Sequence, residues 1–150
     1  MANEVTFELN VRLSADSILI GEFPLTRLLM MNDSQYPWFV LVPRRNNIRE
    51  AYQLNQSDQL LLWRESSQLS QLIMKHFKGD KLNVAAIGNI VSQYHLHHVV
   101  RYENDNCWPK SIWGQQPMKS FALKELEKRL DGLLVELENI GLRNRFNQCE

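Results

Sequence analysis

"NIVSQYHLHHVVRY", residues 89–102, holds three of the chain's four histidines within four positions. Tyr94, Leu96, Val99 and Val100 are interleaved with them, and aromatic and β-branched residues at this density favour a strand. In a strand, side chains alternate between two faces. Gln93, His95, His97 and Val99 then share one face, and Tyr94, Leu96, His98 and Val100 the other. Neighbours on one face stand roughly 6.5–7 Å apart, so two imidazoles and one amide converge on a single surface. A helix would instead turn His95 and His97 about 200° apart. Residues 82–88 and 94–101 are expected as adjacent antiparallel strands, because a short turn containing Gly88 joins two β-rich runs.

Upstream, "SILIGEF" and "TRLLMM" flank the breaker Pro24, and "WFVLVP" follows the turn-like "NDSQYP". The unbroken apolar run "FVLV" suits a central strand better than a half-exposed one. "QSDQLLLWRESSQLSQLIMKHFKG" reads as a helix with Ser57 or Asp58 as its cap and Gly79 as its stop. Leu62, Leu69, Leu72, Ile73 and Phe77 recur along it at helical spacing and predict one buried stripe. After the loop "NDNCWPKSIWGQQP", a long final helix is expected from about Ser120, with apolar positions from Leu123 to Ile140 and a frayed tail "RNRFNQCE". Strands in short-linked runs, with one middle helix and one C-terminal helix, indicate an α+β domain built on a mainly antiparallel sheet. No linker is visible, so residues 1–150 are expected to form one domain.

The 17 Lys and Arg balance the 17 Asp and Glu. That balance argues against a bulk polyanion partner such as duplex DNA or an anionic membrane, and leaves room for a local pocket for one small phosphate compound. No apolar run reaches the ~18 residues of a membrane span. "MANEVTFELN" lacks the basic patch and apolar stretch of a secretory signal. Cys107 and Cys149 have no CxxC spacing, which fits a reduced, cytoplasmic protein.

Read from the residues alone, the histidines have three explanations. They are satisfied or solvent-facing residues of an edge strand, or two ligands of a metal site, or an imidazole nucleophile with phosphate-holding neighbours. A metal site lacks an obvious third and fourth ligand, since His76 is distant in sequence and neither cysteine lies in a ligand motif. No metal and no cofactor is therefore expected.

"QYHLHHVV" resembles the motif of the histidine triad (HIT) family, His-φ-His-φ-His-φ-φ with φ apolar. "DSQYPWFVLVPRR" is similar to the family's Pro turn and central strand. "MKHFKGDKLNVAAIGN" is similar to the helix end and following strand of its fragile histidine triad branch. "GNIVSQYHLH" and "CWPKSIWG" are similar to a bacterial branch with a Trp-Pro segment after the motif. The likeness runs from about Ser17 to Gly114. One position departs: the family's first histidine is Gln93 here, which offers an amide donor but carries neither a proton nor a positive charge.

The resemblance implies a HIT-like fold and a nucleotide hydrolase or transferase acting on a purine nucleotide. His95, at the family's middle position, would attack the α-phosphorus and form a covalent His–nucleotide intermediate that water releases. His97, Gln93 and backbone N–H groups would hold the non-bridging oxygens. A backbone carbonyl within the motif would set the tautomer of the nucleophile. Asn89 and Ser92 fall near the family's leaving-group position, although Gly88-Asn89 reads equally as a turn. Asn32 or Asp33 falls near the residue that holds ribose, or forms an ordinary turn pair. Trp108 and Trp113 either stack on a base or cover the core. Arg44 and Arg45 read as a solvated strand end, and His98 and His76 as packing residues. A homodimer is implied as well. The rival functions are a nucleotide-binding module with little turnover, suggested by Gln93, and a metal-binding or purely structural protein. The leaving group stays open among dinucleoside polyphosphates, amine-linked nucleotides and nucleotide sugars.

Overall fold

In the computed structural model, which describes residues 6–147, the histidine-bearing segment lies inside a six-stranded antiparallel sheet. The elements are α1 (Val11–Ala15), β1 (Ser17–Glu22), β2 (Thr26–Met31), β3 (Trp38–Pro43), α2 (Gln56–Phe77), β4 (Lys81–Ala85), β5 (Leu96–Arg101), α3 (Leu123–Leu130), α4 (Leu133–Asn139) and β6 (Arg143–Asn144). The strands lie in the order β4-β5-β3-β2-β1-β6. The α+β fold expected from the sequence is the one observed. No helix among the described residues is long and apolar enough to cross a membrane.

Every residue of β3 and of β5 is buried, as the run "FVLV" requires of a central strand. Alternation sorts their side chains into two layers. Phe39, Leu41 and Val100 face α2 and α4, where they meet Leu69, Ile73, Leu133 and Leu137. Trp38, Val40, Val42 and Val99 face the other way, toward Leu13 of α1, Cys107 and Ile112. His98 pairs in register with Phe39, and His97 with Val40, so adjacent histidines enter opposite layers.

Several boundaries differ from expectation. Helix α2 is capped by Asn55, whose side chain accepts from the Asp58 N–H, and not by Ser57 or Asp58. It ends through Lys78 in the left-handed conformation (φ 51°), with Gly79 following. A Cβ on Gly79 would run into the Val100 side chain, so glycine there serves the close approach of the chain to β5. The expected turn between β4 and β5 is a loop over residues 86–95. The long C-terminal helix is broken at Gly132 (φ 69°), which interrupts the hydrogen-bond ladder and frees α4 to tilt Leu133 and Leu137 into the core. Of the tail expected to fray, residues 143–147 are ordered into structure: β6 pairs with Gly21 and Glu22 of β1, and a turn of 3-10 helix follows. The absence of a side chain at Gly21 admits the Arg143 carbonyl. Cys149 lies outside the described residues.

The β1–β2 turn is tied to α2 by a buried carboxylate. Glu65 accepts from the N–H groups of Leu25 (3.0 Å) and Thr26 (3.0 Å) and from the Thr26 hydroxyl (3.1 Å). Glu65→Leu strands those buried donors and is expected to cost about 2–4 kcal/mol, read as a lower urea midpoint with an unchanged slope. An unchanged midpoint contradicts the role given to Glu65.

Candidate active site

His95 lies just before β5 and His97 within it, and their rings meet edge to face at 4.8 Å between centroids. Both are nearly covered, at 7% and 5% exposure. The ring Nδ1–H of His95 donates to the Gln93 carbonyl at 2.7 Å. A carbonyl only accepts, so the proton of a neutral ring sits on Nδ1 and the lone pair on Nε2.

His97 sits between two indoles. Its Nδ1 accepts from Trp38 Nε1–H at 3.0 Å, and its ring lies 5.3 Å from that of Trp113. Burial pushes its pKa down to about 3, with His95 and His98 adding to the effect. On the opposite layer His98 is fully buried, donating Nδ1–H to the Leu96 carbonyl (3.1 Å) and accepting from the Ser66 hydroxyl of α2 (2.8 Å). Burial likewise holds it down at about 4. The Trp113 Nε1–H is buried without a partner among the described residues, a cost of about 1–3 kcal/mol.

Gln93 lies outside the strand, in a bend, so the alternation that would align its side chain with His95 and His97 does not reach it. Its amide turns to the N-terminal segment. Nε2 donates to the Glu8 carbonyl at 2.9 Å, and Oε1 accepts from the Asn10 N–H at 2.8 Å. Asn10 N–H and Glu8 carbonyl are the pair an extended chain offers to a neighbouring strand, so this side chain imitates a peptide group. Gln93 thus touches His95 through its backbone and the N-terminal segment through its amide. Beside it, a groove of about 820 Å³ runs between residues 6–11, residues 46–49 and Ser92. Ser92 and Asn89 are both exposed on the 86–95 loop.

Other expected site residues are engaged elsewhere. Asn32 Oδ1 accepts from the Phe121 N–H at 3.1 Å, and Asp33 Oδ1 from the N–H groups of Gln35 (3.0 Å) and Lys119 (3.4 Å). Both therefore tether the chain that leads into α3. Trp108 lies over the Arg101 guanidinium at 5.7 Å, and of the two loop tryptophans it is Trp113 that reaches His97. Arg44 donates to the carbonyls of Phe23 and Pro24, and Arg45 pairs with Asp58 at 2.8 Å. His76 binds Glu136 at 2.7 Å, joining α2 to α4. The sequence reading missed Trp38. Its one signal was an indole at the start of a fully buried strand, where the N–H needs an acceptor.

Among the described residues, no group of three or more His, Cys, Asp or Glu is placed to hold a metal ion.

Comparison with known proteins agrees with this fold. A model of the HIT domain matches residues 12–104. A histidine triad protein from Marinobacter aquaeolei VT8 is 44% identical, with a TM-score of 0.81 over 90% of this chain and 96% of that one. A histidine triad protein from Bradyrhizobium japonicum is 35% identical, with a TM-score of 0.82 over 89% and 97%. One from Sinorhizobium meliloti 1021 is 34% identical, with a TM-score of 0.81 over 89% and 96%. A search of curated proteins found no match.

The two depressed histidines make a prediction about acid stability. An unfolded imidazole binds a proton near pH 6.5, whereas native His97 and His98 stay neutral down to about 3 and 4. The unfolded state then holds more protons between those values, so stability is complete above about pH 6.5 and falls as pH is lowered. Each ring adds about 1.4 kcal/mol per pH unit to the slope near pH 5. His98→Gln should remove about one proton from that dependence in urea melts at pH 4.5–7. A slope equal to that of the unaltered protein contradicts neutral burial.

Proposed function

The chain belongs to the histidine triad family, and we propose that it hydrolyses or transfers a nucleoside monophosphate, from a purine nucleotide, through His95. Family membership supports a nucleotide-binding or hydrolase-type function in general. The observation that carries the finer reading is the 2.7 Å bond from His95 Nδ1–H to the Gln93 carbonyl, which leaves Nε2 as the unprotonated, nucleophilic nitrogen.

In this scheme the Nε2 lone pair forms a bond to the α-phosphorus while the bond to the leaving group breaks and its electrons depart with that group. The positive charge gained by the ring is stabilised by the Gln93 carbonyl on Nδ1. Water then attacks phosphorus and loses a proton to solvent, while the P–N bond breaks and its electrons return to Nε2. His97 donates to a non-bridging oxygen, where negative charge grows in the transition state. Gln93 contributes its carbonyl, which holds His95, while its amide stays with residues 8 and 10. The groove beside Ser92 and Gln93 receives the part of the nucleotide beyond phosphorus, with Asn89 and Ser92 on the leaving-group side. Asn32 and Asp33 support the site only by tethering the chain before α3, and Trp108 by packing on Arg101. No metal, cofactor or nucleic acid enters the scheme. The chain acts as one domain in the cytoplasm, in keeping with its free, buried Cys107.

One observation favours a second reading. The Gln93 amide is committed to residues 8 and 10 and replaces a group that carries charge in the family motif, which suits a nucleotide-binding module with little turnover. Intact-mass analysis after incubation with a purine nucleoside phosphoramidate separates the two. A His-linked nucleotide adduct that disappears in His95→Ala is expected, while His97→Ala should retain adduct and slow turnover by roughly 10²–10³. Nucleotide protection against thermal unfolding without any adduct would establish the binding module instead.

We further propose that two copies pair through β4, an edge of the sheet. Val84 on that strand is 40% exposed and Trp63 on the neighbouring face of α2 is 67% exposed, with Met74 and Leu82 between them. Sedimentation velocity should find a dimer, and Val84→Lys should shift it to monomer, because a charge on an edge strand opposes pairing. A monomer at tens of micromolar would remove this interface from consideration.

A further inference from the structure

We infer that Trp38 is a positioning residue which fixes His97 as a hydrogen-bond donor at Nε2. The inference rests on the reading of His95 and His97 as the phosphate site, and it adds the part of the molecule that decides what His97 offers there.

A neutral imidazole has one proton for two nitrogens. Which nitrogen carries it depends on the partner each one meets. For His97 the partner at Nδ1 is Trp38 Nε1–H at 3.0 Å, and an indole N–H only donates. A proton on Nδ1 would face that donor, so the ring's proton is driven to Nε2. The indole itself has little freedom. Trp38 is 8% exposed, opens β3, and pairs in register with Val99 of β5. It packs in the layer formed by Leu29, Met31, Val40 and Val99. The donor is therefore built on a strand, the placement that holds a site most rigidly.

The titratable groups acting on His97 are the His95 imidazole beside it and His98 across the sheet. Neither meets Nδ1, whose hydrogen bond comes from Trp38; His95 Nδ1 is bonded to the Gln93 carbonyl and His98 to Ser66 and Leu96. Trp113 touches the same ring at 5.3 Å between centroids, yet its N–H has no partner among the described residues. Of the two indoles against His97, only Trp38 sets its tautomer. His97 then presents one N–H toward phosphate without having to titrate, in a motif where Gln93 is uncharged.

The test is 15N NMR of the full chain labelled at histidine, without ligand, together with turnover of a purine nucleoside phosphoramidate. In the unaltered protein His97 Nδ1 should resonate as an unprotonated, hydrogen-bonded nitrogen and Nε2 as a protonated one, unchanged from pH 8 to 5. Trp38→Phe keeps an aromatic ring and deletes the donor. It should move His97 to a mixed or inverted tautomer and lower kcat by up to about 10²-fold with little change in KM, the range for a displaced oxyanion donor. A proton on Nδ1 in the unaltered protein would overturn the inference, and so would an unchanged tautomer in Trp38→Phe. If Trp38→Phe does not fold, the spectrum of the unaltered protein decides alone. If the tautomer behaves as stated but no phosphoramidate turns over, the role of Trp38 stands and the catalytic reading falls.

Discussion

Burying imidazoles without a countercharge is the constraint around which this molecule is arranged. His95, His97 and His98 lie in or beside β5 and are at most 7% exposed. Each of them finds a neutral partner. A charged ring in such surroundings is costly, so His97 and His98 stay uncharged and each of the three rings is held by at least one hydrogen bond. The Gln93 and Leu96 carbonyls, the Ser66 hydroxyl and the Trp38 indole do that work. Those partners come from the loop before β5, from β5 itself, from α2 and from β3. Two other elements, α2 and β3, are thereby tied to one short segment.

A second buried polar cluster supports the loop that brings Trp113 to the site. Arg101, 1% exposed, donates to both oxygens of Asp105 and to Asn83 of β4. Burial raises the Asp105 carboxyl, but the Arg101 bonds and those from backbone N–H groups outweigh it and hold the pKa at about 2. Asp105 in turn accepts from the N–H groups of Cys107 and Trp108. The ion pair is best understood as a fixture for the chain after β5. Breaking one partner of a buried pair costs about 3–5 kcal/mol, and here the loop over the histidines would be lost with it.

The central strands and the long helix were legible because their signals are periodic. "FVLV" has no polar interruption, Leu62, Leu69 and Ile73 repeat at helical spacing, and the two faces of β5 follow from alternation. Alternation also misled at Gln93, because the period of two holds only inside the strand and β5 begins at Leu96. Gly132 stood within a Leu-rich helical pattern that tolerates one glycine, and only the pull of Leu133 and Leu137 into the core turns it into a break. Strand β6 is two residues long and α1 five, too short for any periodicity to register. The tethers made by Asn32 and Asp33 join residues more than eighty positions apart, and nothing local announces them. The family motif pointed to the segment in which the buried imidazoles cluster. The division of labour among its side chains depended on what lay across the sheet.

The two indoles beside His97 make the pocket optically readable. Trp38 and Trp113 have ring centroids 5.7 Å and 5.3 Å from that imidazole, close enough for their emission to respond to charge or to a ligand placed there. Trp63, 67% exposed on α2, lies across the sheet from that ring and Trp108 lies over Arg101, so both add background emission to the signal from the pocket. A fluorescence titration of the unlabelled protein reports on the pocket as a change over that background. The chain carries both signal and background in its own tryptophans.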